Sequence, residues 1–246
     1  MDAASADRCV ALVPCAGRGE RATAGSRAGL AKQYVPIAGR PLVAHTLAAL
    51  AGVRRLVHVL VVVAPGDRDA ARLAVLPPSD ARFSIAPVGG ATRAASVAGG
   101  LLHLRGQGLA DGASWVLVHD AARCLVRASA IDALIDACLG DSVGGLLAAP
   151  VADTLKRADG AGRVDATVDR TDLWAAQTPQ MFRLDLLADA LARADADVTD
   201  DAGAIEAMGL APRLVAGPPD NWKVTHPADF ALAERLLASR REQGTA

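Results

Sequence analysis

What most constrains this chain is an alternation of short, almost wholly apolar runs with helical periods. Cys9–Pro14 (CVALVP) ends at a glycine-rich turn, and Val57–Ala64 (VHVLVVVA) is β-branched and nearly all apolar. Trp115–His119 (WVLVH) and Val143–Ala149 (VGGLLAA) are further runs of the same kind. Runs without polar alternation are expected of strands buried on both faces. Between them, Ile131, Leu134, Ile135 and Cys138 fall at helical spacing, with Ser129 placed to cap. Val97, Leu101 and Leu104 form a second stripe, and Pro41 and Pro227 stand where helices would start. Buried strands alternating with helices predict an α/β fold: a mostly parallel sheet with helices on both faces.

One stretch breaks the rhythm. Asp153–Val168 (DTLKRADGAGRVDATV) is polar and carries a turn at Asp159–Gly162. It reads as two short strands of a hairpin with too few apolar residues for a core of its own. A projecting arm at about 150–172, packed on a partner subunit, is the natural expectation. No internal repeat or long linker divides the chain, so 1–246 is expected to be a single domain with an arm.

Composition narrows the function. The 246 residues are 52% hydrophobic, enough for a sizeable core, and the formal net charge is -1. That balance argues against a nucleic-acid binder, which needs basic excess, and 3% aromatics are too few for base-stacking platforms. A small anionic ligand is not excluded, since a pocket needs only a few cations. Cys9, Cys15, Cys124 and Cys138 include no C-x-x-C pair. The start, MDAASADR, lacks a basic region before a long apolar stretch, and no apolar run is long enough for a membrane span. A cytoplasmic location is expected, with no membrane and no nucleic-acid partner.

Three segments suggest chemistry. Pro14–Arg21 (PCAGRGER) follows the first strand, where glycines let backbone N–H groups approach a phosphate. It lacks the third glycine of a dinucleotide fingerprint and is no Walker A loop; alone it reads more readily as an ordinary tight turn. Arg21 and Lys32 downstream favour triphosphate handling. Gly89–Ser96 (GGATRAAS) ends a strand and opens a helix, placing Arg93 and Ser96 on one face near its N-terminus. The plain reading of that segment is a capping Thr92 and an exposed arginine. Asp120, in VHDAAR, sits at the carboxyl end of a buried strand, where open α/β sheets place their ligand crevice. It could hold Mg²⁺ directly or through water, or cap a helix with Arg123 as ion-pair partner. His119 reads as a packed residue rather than a base. Asp153-Thr154, Thr167–Arg170, Gln177–Gln180 and Asn221–Thr225 are turn and strand-end residues that spacing alone does not assemble into a site.

Taken in order, PCAGRGER, AKQY, VGGATRAASV, WVLVHDAAR, AAPVADTLKR, ATVDR, QTPQ, VTDDAGA and NWKVT resemble the 2-C-methyl-D-erythritol 4-phosphate cytidylyltransferase family of the non-mevalonate isoprenoid pathway. The resemblance runs from about Cys9 to about Leu237. It implies a Rossmann-like nucleotidyltransferase fold, a homodimer joined through the β-arm, and transfer of CMP from CTP to methylerythritol phosphate with Mg²⁺ or another divalent cation. By the same resemblance Arg21, Lys32, Arg170 and Lys223 are the catalytic cations, the first two at the α-phosphate. Pro14, Cys15, Ala16, Gly17, Gly19, Gly90, Arg93, Ser96, Asp120 and Ala121 would bind CTP. Asp120, Thr154, Arg170, Thr178 and Lys223 would bind the sugar phosphate, Thr154 and Arg170 reaching the site from the partner's arm.

There are departures from the family pattern. Ala31 stands where Pro is usual, Ala91 where some members have Asp, and Cys124 where Pro is usual. Glu20 replaces a commonly basic or small residue, and the stretch over 22–31 is longer than usual, as a lid would be. A ribitol-5-phosphate cytidylyltransferase of the same fold is the alternative within the class. A Rossmann oxidoreductase would need the missing third glycine, and a non-catalytic nucleotide-binding module would be expected to have lost some of the four cations. No fused second enzyme is expected after about residue 238.

Overall fold

The structure is a computed structural model that describes residues 7–17, 30–70, 80–195 and 198–243. Its centre is a seven-stranded sheet in the order β11-β7-β10-β6-β1-β4-β5. The strands are β1 (Cys9–Pro14), β4 (Leu56–Val62), β5 (Phe83–Ala86), β6 (Trp115–Val118), β7 (Gly144–Pro150), β10 (Trp174–Arg183) and β11 (Arg213–Ala216). β1 runs parallel to β4 and β6, β4 to β5, and β11 to β7; β10 alone is antiparallel, between β6 and β7. The short pair β2 (Pro36–Ile37) and β3 (Arg40–Pro41) stands apart.

Helices α1 (Leu42–Ala51) and α3 (Ala128–Cys138) cover one face; α2 (Arg93–Gly106), α4 (Leu184–Arg193) and α5 (Asp201–Glu206) cover the other. β1 makes the reason plain. Cys9, Ala11 and Val13 point into the first core, while Val10 and Leu12 point into the second, and all five are buried. Each Val or Leu so buried contributes roughly 1.5–3 kcal/mol of hydrophobic stabilisation. Small residues bring the helices close: a Cβ on Gly100 of α2 would lie 2.6 Å from Leu12 Cδ1. A third cluster joins Leu42, Leu125 and Val224 to Phe230 and Leu237 of α6 (Pro227–Glu242).

The polar stretch after Asp153 forms the expected hairpin. β8 (Leu155–Ala158) and β9 (Val164–Val168) pair only with each other, around a turn held by the Asp159 carboxylate, which accepts the N–H groups of Ala161 and Arg163. Val164 is largely exposed, and Leu173 and Trp174 at the arm's base are each partly open to solvent. Ser129 is a correction. Arg127 occupies the cap position of α3 without a side-chain cap bond, and Ser129 lies inside the helix. Thr92 does cap α2, its hydroxyl accepting the Ala95 N–H. No helix among the described residues is long and apolar enough to cross a membrane.

Candidate active site

The parallel strands β4, β1 and β6 end side by side, and a cleft of about 410 Å³ opens beyond their carboxyl ends. Its first wall is Pro14–Gly17. This loop is braced from both sides, since the Cys15 N–H donates to the Val62 carbonyl at 2.7 Å and the Cys15 carbonyl accepts Gln33 Nε2 at 2.8 Å. Burial, with Asp67 nearby, pushes the Cys15 thiol up to about 12, so it is a packing group and no nucleophile. The facing wall is the loop into α2. A Cβ on Gly89 would lie 2.4 Å from Ala16 Cβ and 2.8 Å from the Val63 carbonyl oxygen, so only glycine permits this approach. Ser96 is 3% exposed; its hydroxyl donates to the Thr92 carbonyl and accepts the Gly90 N–H at 3.1 Å. Ser96 thus holds the Gly90 loop as well as lining the cleft.

Asp120 is the hub. Its Oδ1 accepts Arg93 Nε at 2.9 Å, its Oδ2 faces Lys223 Nζ at 2.8 Å, and Arg123 Nε stands 3.9 Å from Oδ2. Burial alone would raise its pKa, but Arg93 and Lys223 outweigh that and hold the carboxyl well below the usual carboxylate range. Arg93 in turn donates through Nη2 to Asp201 at 2.8 Å.

Beneath Asp120 lies a fixed relay. The Arg123 carbonyl can only accept, so His119 Nε2, 3.2 Å away, carries the proton. Nδ1 then accepts the Thr178 hydroxyl at 3.0 Å, and the Thr178 oxygen accepts the Asp120 N–H at 3.0 Å. Burial lowers His119 to about 4, in keeping with a neutral ring. This is the packed histidine expected from the sequence. Thr178 is 3% exposed with its hydroxyl committed on both sides, so it positions Asp120 from behind the cleft and is not among the lining residues. That differs from the substrate contact expected of it.

The loop after β11 closes the cleft. Asn221 Nδ2 donates to Gln177 Oε1 and to the Thr178 carbonyl, Arg123 Nη1 donates to the Asn221 carbonyl, and the Val224 N–H to the Ala122 carbonyl. Lys32 donates to the Val224 carbonyl at 2.8 Å. Lys32, Arg93 and Lys223 therefore converge on one cleft with Asp120, a setting for phosphate groups.

Asp120 is the one carboxylate on the cleft wall among the described residues. Both carboxylate oxygens are engaged by cationic side chains, and among the described residues no group of three or more His, Cys, Asp or Glu is placed to hold a metal ion. The expectation that Asp120 holds Mg²⁺ directly or through water therefore rests on this one carboxylate and on the phosphates of the ligand.

Residues 9–239 match the family described as IspD: 2-C-methyl-D-erythritol 4-phosphate cytidylyltransferase. The chain belongs to this cytidylyltransferase family. It is 58% identical over 233 residues to the bifunctional enzyme IspD/IspF of Albidiferax ferrireducens, covering 95% of this chain and 54% of that protein. It thus spans about half the length of that relative. It is 54% identical to the 2-C-methyl-D-erythritol 4-phosphate cytidylyltransferase of Laribacter hongkongensis, covering 94% of this chain and 96% of that one. Among solved structures, a 4-diphosphocytidyl-2C-methyl-D-erythritol synthase superposes with a TM-score of 0.81 at 38% identity, covering 94% and 98% of the two chains.

Within this cytidylyltransferase the cleft gathers Pro14, Cys15, Ala16, Gly17, Lys32, Gly90, Arg93, Ser96, Asp120, Ala121 and Lys223. Gly19, Arg21 and positions 22–29 of the expected lid lie outside the described residues. Thr154 and Arg170 are exposed on and beside the arm and do not line this cleft. Two residues went unnoticed in the sequence. Gln33 fixes the first loop, and Asp201 pairs with Arg93. Asp201 lies in the VTDDAGA segment, where a second Asp directly after a capping Asp was the only available signal.

Proposed function

We propose that this chain transfers CMP from CTP to 2-C-methyl-D-erythritol 4-phosphate, releasing pyrophosphate, in the cleft around Asp120. The observation that carries this reading is the convergence of the Pro14–Gly17 loop with Lys32, Arg93 and Lys223. A phosphate oxygen of the sugar phosphate attacks the α-phosphorus; the new P–O bond forms as the bond to the bridging oxygen breaks, and pyrophosphate departs with that electron pair. The attacking group is already an anion, so no proton needs to move. That fits a site whose histidine is buried and neutral. What the reaction needs is two anions held together with their charge offset.

Lys32, anchored on the Val224 carbonyl, is suited to the α-phosphate, with Arg21 as its companion. Lys223 is suited to the sugar phosphate, trading its contact with Asp120 for a more highly charged partner. A divalent cation would offset charge on the phosphates, and Asp120, whose Oδ2 Lys223 gives up to the sugar phosphate, would hold it directly or through water. The exposed arm supports a homodimer in which the partner subunit's Thr154 and the partner subunit's Arg170 complete the sugar-phosphate site. The names of the relatives favour methylerythritol phosphate over ribitol 5-phosphate.

The test is pyrophosphate release from CTP with each sugar phosphate in turn, with and without Mg²⁺. Release with methylerythritol phosphate and little with ribitol 5-phosphate is expected. The reverse preference would overturn the substrate assignment.

A further inference from the structure

Arg93 bridges two carboxylates of different standing. Asp120 is on the cleft wall; Asp201 is 0% exposed, at the start of α5 on the far side of the guanidinium. Asp201 Oδ2 takes Arg93 Nη2 at 2.8 Å, while its Oδ1 is buried without a hydrogen-bond partner among the described residues. A buried carboxylate with one oxygen unsatisfied is costly to keep. α5 does not need it as a cap, because Asp200 performs that task by accepting the Gly203 N–H at 2.9 Å. The cost is offset by the ion pair with Arg93, so what Asp201 does is done through Arg93.

The geometry shows what that is. Arg93 has a planar donor fork able to take both oxygens of one carboxylate. Here Asp201 occupies Nη2, and Arg93 presents only Nε to Asp120, on Oδ1. Asp120 Oδ2 is thereby left for Lys223 Nζ at 2.8 Å. Charges alternate along the row Asp201, Arg93, Asp120, Lys223. With Asp201 neutralised, Arg93 is free to turn its fork fully onto Asp120 and compete with Lys223 for Oδ2. The guanidinium keeps 24% of its side chain open on the cleft side, so such a turn would also change the cleft wall.

We propose that Asp201 is a positioning residue for the transfer reaction, one that holds Arg93 in a single-oxygen contact with Asp120 and so reserves the second oxygen for Lys223. Its kinetic consequence rests on the cytidylyl-transfer reading above, but its structural core does not.

The test therefore has two readouts on the full-length protein. The first is the Arg93 Nε–H signal in ¹⁵N-resolved NMR, assigned by its loss in Arg93→Lys. In the wild type it is expected to be a slowly exchanging resonance, and in Asp201→Asn it should move or broaden while the spectrum of the rest of the chain is retained. The second is kinetic: Asp201→Asn should raise KM for the sugar phosphate roughly tenfold or more while changing kcat less than about threefold. An unchanged Arg93 signal together with a KM within twofold of wild type would overturn the proposal. A moved signal in a protein that turns over neither sugar phosphate would leave the positioning role standing and refute the substrate reading. Should Asp201→Asn fail to fold, Asp201→Glu keeps the charge and shifts the carboxylate by one methylene. An Arg93 signal and KM unaltered in that variant would equally overturn the proposal.

Discussion

Lys223 Nζ rests 2.8 Å from Asp120 Oδ2, while Arg93 Nε holds the other oxygen of the same carboxylate at 2.9 Å. One acid thus parks two cations at the mouth of the cleft. Lys223 is the more exposed of the two, with 43% of its side chain open to solvent against 24% for Arg93. It is therefore the cation expected to leave Asp120 for an incoming phosphate. Lys223→Ala should raise KM for methylerythritol phosphate by about tenfold or more, with kcat within a fewfold of wild type. Steady-state kinetics with the sugar phosphate varied checks this; a variant losing kcat alone would place Lys223 at the transferred phosphoryl group instead.

The close approach of the two loops gives a packing prediction. Gly89→Ala would drive a Cβ against Ala16 Cβ and the Val63 carbonyl, neither of which can swing aside. The expected cost is about 1–3 kcal/mol of stability, with weaker CTP binding as the loops separate. Gly106→Ala meets open space at the end of α2 and should be neutral or slightly stabilising, which makes it the control. Urea unfolding of both variants decides the matter; equal stabilities would contradict the tight approach.

The buried His119 makes a pH prediction with a definite sign. Its pKa is lowered, by burial first, from 6.5 to about 4. The unfolded chain therefore binds a proton that the folded chain refuses. Stability from this group is complete above about pH 6.5 and falls as the pH drops towards 4, by at most about 1.4 kcal/mol per pH unit. His119→Gln should remove that share of the slope, leaving the share of His45 and His58, which burial also lowers. Denaturant unfolding between pH 7 and 4.5 measures it, and an unchanged slope would mean that the ring is not held neutral.

Much of this was legible in the sequence because the chain signals burial so directly. Cys9–Pro14 and Trp115–Val118 are strands where the apolar runs placed them, and the polar hairpin after Asp153 is an arm. β10 was not legible. Its WAAQTPQMFR mixes exposed alanines with Gln177, Thr178 and Gln180, which are buried only because Asn221, Pro218, His119, Asp200 and Ala202 satisfy them. Those partners lie 20 or more residues away, and no local pattern encodes them. The same holds for Asp201, whose importance is a pairing across 108 positions with Arg93. β5 and β11 are short edge strands with too little apolar alternation to stand out.

The arm carries a prediction about sharing between subunits. Arg170→Ala and Lys32→Ala should each be nearly inactive as homodimers. If Arg170 serves the partner's cleft, subunit exchange between them creates heterodimers with one intact site. At equal mixing, half the dimers are mixed and half of their sites are intact, so about a quarter of wild-type activity should return. Activity no greater than the two variants measured apart would place Arg170 in its own subunit's site.

The claim that this cleft performs the transfer is tested most directly by the single-turnover rate of CMP transfer in Lys32→Ala, with CTP and methylerythritol phosphate both saturating. Lys32 lines the cleft and is aimed by the Val224 carbonyl at 2.8 Å. Removing one such preorganised cation should slow the chemical step by about a hundredfold or more while leaving CTP affinity within a fewfold. A rate equal to wild type would contradict the account.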